Sequence, residues 1–200
     1  MLFRSDVFRE ADVRNLPRRL RPLLARRLPT LTDMQLARSH VCIMELCSCT
    51  LTSLVARAPQ ELSDRVMRGL IFQVVYTLAC LQAALPGFRH NDLTTNNVLV
   101  KCTPRHAGAR YTLGHRAFYL HDMPVAAVLA DFDFTHVPGH PVLSNERVLG
   151  GRYAISACPS PGYDLHVFLK SLHACVQRRA RRRLPEACAF LHSQIGRAHV

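Results

Sequence analysis

His90-Asn91-Asp92-Leu93-Thr94-Thr95-Asn96-Asn97 is the stretch that decides the fold, and Asp131-Phe132-Asp133 is its counterpart further along the chain. One carboxylate, an Asn five residues on, and a second carboxylate after an apolar run are the groups needed to move a phosphoryl group. In that chemistry the protein positions the reactants and neutralises concentrated negative charge. Asp92 is expected to orient the attacking hydroxyl and accept its proton. Asn97 is expected to hold Mg²⁺ through its amide oxygen, and Asp131 to hold the metal that bridges the phosphates.

The neighbours of these residues strengthen the reading. Asp92 and Asn97 lie in a short loop that leads into the apolar strand Val98-Leu99-Val100, and Asp131 ends the apolar run Val125-Ala126-Ala127-Val128-Leu129-Ala130. Two such strands side by side would converge Asn97 and Asp131 on one cation. The alternative treats His90 and Asp92 as turn caps and Asp131 and Asp133 as solvated strand ends. Agreement between two separate elements favours the shared site.

At these residues the chain resembles the protein-kinase-like superfamily, whose catalytic loop reads His-x-Asp with Asn five residues on and whose metal motif reads Asp-Phe-Gly. The resemblance implies an α+β class: a protein-kinase-like fold, mostly the helical large lobe with a remnant of the small lobe. It makes His90 the structural histidine of the loop, Asp92 the catalytic base, and Asn97 and Asp131 the magnesium ligands. Met44-Glu45-Leu46, after Val41-Cys42-Ile43, resembles the hinge that receives the adenine of ATP. Tyr163-Asp164-Leu165-His166-Val167-Phe168 resembles the start of the helix whose Asp, here Asp164, anchors the catalytic loop.

Asp131-Phe132-Asp133-Phe134 in place of Asp-Phe-Gly, with Tyr-Asp-x-His-x-Phe later, is similar to divergent serine/threonine kinases of large DNA viruses, of the poxvirus and iridovirus type. This implies ATP and Mg²⁺ (or Mn²⁺) as cofactors, a protein substrate, and an intracellular site in host cytoplasm and virion. Two departures stand out. Asn91 replaces the usual Arg, which argues against control by a phosphorylated activation loop, and Thr94 stands where a phosphate-contacting Lys is common. His-Asn-Asp followed by Asp-Phe-acidic is also similar to choline and aminoglycoside kinases. A small-molecule kinase is therefore one alternative, and a pseudokinase scaffold is another.

No Lys precedes Lys101 and no Gly precedes Gly69. A kinase of this fold needs a strand Lys and a Gly-rich loop N-terminal to the hinge. The expectation is a fragment that is inactive alone. Residues 194–200, Gln-Ile-Gly-Arg-Ala-His-Val, match a translated sequencing adaptor and are set aside as a processing scar.

The domain reading follows. Residues 1–45 are the small-lobe remnant and hinge strand, with Glu10 a candidate partner for the absent Lys. Residues 46–193 are the large lobe: catalytic loop 90–97, enlarged hairpin insert 101–124, metal motif 131–133 and activation segment 134–163. The recurrence of Val66, Leu70, Val74, Leu78 and Leu81, widened by Met67, Ile71 and Val75, predicts a largely buried helix from Ser63 to Gln82. Ser63 or Asp64 would cap it and Pro86-Gly87 would stop it. The last helix is expected from Asp164 to Val176, with Leu165, Phe168, Leu169 and Leu172 inward and Pro185 limiting it.

Composition is that of a single-core domain: 200 residues, 48% hydrophobic, with no uninterrupted apolar run of the roughly 18 residues expected of a membrane span. The eight Cys and eleven His lack metal-ligand spacing, so the thiols are read as reduced and mostly buried and the insert histidines His106, His115 and His121 as chance neighbours. The formal charge is +12, almost all from Arg. Arg18, Arg19, Arg21, Arg26 and Arg27 form one cluster, and Arg178, Arg179, Arg181, Arg182 and Arg183 another. Solvated helix faces are the first reading. An acidic or phosphorylated substrate fits the charge, and the lack of interleaved aromatic residues argues against single-stranded nucleic acid.

Sequencing the genomic DNA upstream of codon 1 and across codon 193 tests both terminal expectations. The expected outcome is a Gly-rich loop and strand Lys in frame upstream, and reads past codon 193 that lack the adaptor. Stop codons directly before Met1 would instead favour the pseudokinase.

Overall fold

The computed structural model describes residues 7–8, 41–42, 46–57, 60, 62–103, 108–145 and 160–197. The chain divides into two units, Met1–Leu46 and Cys47–Val200. In the first, strands β1 (Val7–Phe8) and β2 (Val41–Cys42) pair antiparallel, Val7 opposite Cys42. Glu10, Met44, Glu45 and the first Arg cluster lie outside the described residues. Leu46, the last residue of this unit, is 93% exposed.

The second unit begins with β3 (Cys49–Thr50) and α1 (Leu51–Arg57). The Thr50 hydroxyl accepts the Ser53 N–H at 3.1 Å, satisfying one of the donors that a helix start leaves unpaired. Helix α2 (Asp64–Ala84) is capped by Ser63, whose hydroxyl accepts the Val66 N–H at 3.3 Å. Beyond its end, Gly87 takes φ +78°, and an added Cβ there would lie 2.9 Å from the Pro138 ring. Only glycine enters that left-handed position against a ring without strain.

Val66, Met67, Leu70, Ile71, Val74 and Leu78 of α2 are buried in the core. Val75 is not: it is 37% exposed. Nine residues after Val66, at 3.6 per turn, it has travelled about two and a half turns and faces the opposite side. Gly69 lets the Met123 side chain against the helix, since an added Cβ would meet its Sδ and Cε at 2.5 Å. By length and composition α2 could cross a membrane, with a hydropathy of 1.4, which counting uninterrupted apolar residues does not register; in this fold that apolar content includes the core-facing stripe.

Strands β4 (Val98–Cys102), β5 (Ala109–Leu113), β6 (Arg116–Leu120) and β7 (Val125–Leu129) complete the β structure. β4 is central in an antiparallel sheet of order β3-β4-β7, with Val98 opposite Leu129 and Cys102 opposite Val125. Val98 and Val100 point into the core, the period-two alternation of a half-buried strand. The buried Gln73 of α2 accepts the Ala127 N–H at 2.6 Å, so the free edge of β7 is tied to the helix.

Within residues 101–124, β5 and β6 form a separate hairpin turning at Gly114 (φ +58°). It rests on α2 through aromatic packing. Tyr111 lies 5.2 Å from Phe72 and 5.0 Å from Tyr76 between ring centroids, and Phe118 lies 5.4 Å from Phe72. The Tyr76 hydroxyl donates to the Thr112 carbonyl at 2.8 Å and accepts its N–H at 3.2 Å. Burial pushes the Tyr111 hydroxyl pKa up.

Helix α3 (Tyr163–Arg179) buries Asp164, Phe168, Leu172, Cys175 and Val176, with Leu165 and Leu169 half-buried. It does not end the fold. Pro185 opens a further helix, α4 (Pro185–Arg197), with Leu184, Ala187, Cys188 and Leu191 in the core. A proline costs nothing at a first helical position, where its missing N–H would be unpaired. Asp64 of α2 accepts the Ala187 N–H at 2.8 Å and so caps α4 from another helix. Residues 194–197 continue this helix. The second Arg cluster is exposed at the end of α3 and in the turn before α4. Cys175 and Cys188 are buried, whereas Cys102 is exposed and Cys47, Cys49 and Cys80 are half-buried.

Gln73→Leu keeps the volume but strands the Ala127 N–H. It is expected to cost about 1–3 kcal/mol, read as a lower urea midpoint with unchanged slope.

Candidate functional site

Residues 90–97 form an irregular loop between α2 and β4, held at its start by one side chain. Asp164, 1% exposed in the first turn of α3, accepts the His90 N–H on Oδ2 at 2.7 Å and the Asn91 N–H on Oδ1 at 2.8 Å. A helix's first turn favours negative charge, which eases burial of a carboxylate there. The two adjacent donors need two acceptor atoms a carboxylate's width apart, which Asp supplies and Ala or Ser does not.

With its N–H directed at Asp164, Asn91 takes φ +65°, a conformation asparagine tolerates better than most residues. Its buried Nδ2 donates to the Phe134 carbonyl at 2.7 Å, linking the loop to the segment after Asp131. His90 is fully buried, 4.9 Å from the Phe132 ring between centroids. Its Nε2 lies 3.0 Å from the Ala130 carbonyl. A carbonyl only accepts, so Nε2 is the donor in this contact.

The far end of the loop is knitted from inside. The Thr95 N–H donates to the Ser171 hydroxyl at 3.1 Å, the Thr95 and Thr52 hydroxyls lie 2.8 Å apart, and the Thr52 N–H donates to the Thr95 carbonyl. These contacts bring α1 and α3 to the loop, and Leu93 between them is fully buried. Ser171 escaped the sequence reading although its spacing of seven from Asp164 puts both on one face of α3.

Asn97 and Asp92 meet directly. The Asn97 Nδ2 donates to the Asp92 carbonyl at 2.7 Å and to the Asp92 Oδ2 at 2.9 Å. Both partners are acceptors, so the amide orientation is set and Oδ1 is left as a neutral oxygen donor. The register of β4 and β7 supplies the rest. The Ala130 N–H donates to the Asn97 carbonyl at 2.9 Å, which places Asp131 beside Asn97 at the open end of the sheet. Asp131 is exposed with φ +64°, and Asp133 follows it, also exposed. An amide oxygen beside a carboxylate suits a hard cation such as Mg²⁺. No cluster of three His, Cys, Asp or Glu side chains with metal-holding geometry occurs among the described residues.

His90, Asp92, Asn97, Asp131 and Asp164 are thus assembled within one unit. Leu46 ends the other unit, and Met44 and Glu45 are not described. Of the expected activation segment, residues 146–159 are likewise outside the described residues. The described part is pinned by an Arg89–His136 backbone bridge and by the Asn145 Nδ2, which donates to the Asp133 carbonyl at 2.7 Å.

Two curated proteins of Acanthamoeba polyphaga mimivirus, both provisionally named as serine/threonine-protein kinases, are similar to this chain. One is 34% identical over 111 residues, covering 52% of the chain and 23% of that protein. The other is 33% identical over 66 residues, covering 32% of the chain and 17% of that protein. The matched stretch thus spans about a quarter or less of these relatives. No family model matches the chain. The likeness supports a relationship to kinase-named viral proteins at this coarse level.

Asp164→Ala leaves two buried N–H groups without an acceptor. The expected loss is about 1–3 kcal/mol for each, and Asp164→Asn, with one acceptor oxygen left, should lose about half as much. Urea denaturation of the three proteins checks the order.

Proposed function

We propose that the chain carries the base and metal-holding part of a serine/threonine protein kinase of a large DNA virus, which transfers the γ-phosphoryl of ATP to a protein hydroxyl. The observation that carries this reading is the meeting of Asp92 and Asn97 next to Asp131, reached from two strands whose hydrogen-bond register aligns them. The likeness to two mimivirus proteins supports the reaction class and a viral origin.

In this reading Asp92 receives the substrate hydroxyl. Its Oδ2 is held by Asn97, so Oδ1 is the oxygen that orients the hydroxyl and accepts its proton. Asn97 Oδ1 and the Asp131 carboxylate would hold Mg²⁺ or Mn²⁺, which would supply neutralisation of phosphate charge. His90 supports the metal loop through the Ala130 carbonyl and the Phe132 ring, and Asp164 keeps the base in place by fixing the two residues before it. Asn91 supplies without modification a link between base loop and metal loop, which favours a site that does not wait for a phosphorylated activation segment. The hinge residues Met44, Glu45 and Leu46 receive adenine in the whole protein.

The test is radiolabelled phosphate transfer by the protein of the full reading frame, with casein, choline and an aminoglycoside as acceptors. Transfer to casein alone is expected. Asp92→Asn should lower kcat by about two to four decades, and Asp131→Ala should abolish metal-dependent turnover. Near-normal turnover by Asp92→Asn would remove Asp92 from the role of base.

A further inference from the structure

On the side of α2 that carries Phe72, the helix and the end of β6 enclose an open groove of about 400 Å³. Its floor is apolar: Phe72, Leu120 and Met123, brought close by the missing side chain of Gly69. Its rim is cationic, with Arg65 and Arg68 more than half exposed and His121 beside them. Tyr119, 59% exposed, closes one wall and stacks with His121 at 6.3 Å between centroids. Of the large hydrophobic side chains exposed among the described residues, Tyr119 lines this groove. An apolar floor rimmed by polar residues marks an interaction site more often than solitary exposed residues do.

We infer that this groove docks an extended acidic segment of a partner protein, with one apolar side chain seated in the pocket. Three observations select that occupant. The rim arginines pair with Asp122 at 3.5 Å and Glu186 at 3.0 Å, both well-exposed carboxylates. Arg65 also donates to the His121 carbonyl, which holds it at the rim. The ion pairs themselves are weak because water screens them, so an incoming carboxylate can replace either carboxylate while that bond stays. Next, β6 pairs only with β5 among the described residues, leaving main-chain groups on its other edge for an extended strand. Finally, the net charge of +12 draws acidic segments and repels a second copy of the same chain. An apolar floor has no counterpart in a nucleic-acid phosphate backbone. The inference does not depend on phosphoryl transfer, since none of the groove residues belongs to the loop of Asp92 or to Asp131.

The probe is a fluorescein-labelled peptide, Glu-Glu-Leu-Phe-Glu-Glu, titrated with the chain by fluorescence polarisation beside a peptide with every Glu replaced by Lys. The acidic peptide is expected to bind saturably and the lysine peptide not. The double variant Arg65→Glu/Arg68→Glu should weaken binding by about tenfold or more. Raising salt from about 0.05 to about 0.5 M should also weaken it, through screening. Tyr119→Ser, an exposed change that leaves the core intact, should weaken it at constant charge. Equal binding of both peptides, no saturable binding of the acidic one, or affinity indifferent to the rim variants would overturn the inference. So would self-association abolished by Arg68→Glu, which would make a second copy the occupant.

Discussion

Two consecutive backbone N–H groups, on His90 and Asn91, end on the two oxygens of one buried carboxylate, Asp164. Loops seldom enter a core because their backbone groups would go unpaired there. This one can, because α3 carries an acceptor for them in its first turn. Once those donors are pinned, Asn91 is held in a left-handed conformation and its amide reaches the Phe134 carbonyl, while the His90 ring is pressed against Phe132. The loop 90–97 and the Asp131 segment are thereby joined at two points by the buried side chains of His90 and Asn91.

The other half of the site is a matter of strand register. β4 and β7 are antiparallel, so the residue before one strand and the residues after the other fall at the same end of the sheet. A slip of one residue would turn Val98 and Val100 out of the core and move Asn97 away from Asp131. The hydrophobic pattern of β4 therefore protects the polar geometry at its end. The Asp92 carboxylate, held by the Asn97 amide, and the exposed Asp131 lie at that end in a chain of net charge +12.

The hairpin insert lies away from this arrangement and is secured to α2 by aromatic rings and by the Tyr76 hydroxyl on Thr112. A two-stranded hairpin is marginal alone. Resting on a core helix gives it a fixed shape, and with it the groove whose walls it shares with α2. One helix thus supports the sheet through Gln73, the hairpin through Phe72 and Tyr76, and α4 through Asp64.

The α2 stripe from Val66 to Leu78 and the Ser63 cap could be read from the chain because helix periodicity and capping are local properties, set within a few residues. The Asp92–Asn97 spacing was legible for the same reason: five residues of one loop cannot be far apart. Val75 was misjudged because a stripe extended by i+4 steps drifts off the buried face. Helix α4 was missed because Pro185 reads as a stop unless its position is known to be the first of a helix. Only the tertiary structure decided that Asp64 caps α4, that Gln73 pairs the edge of β7, and that Asn91 reaches Phe134. Each of these joins donors and acceptors dozens of residues apart, and burial rather than sequence distance determines which partners they must find.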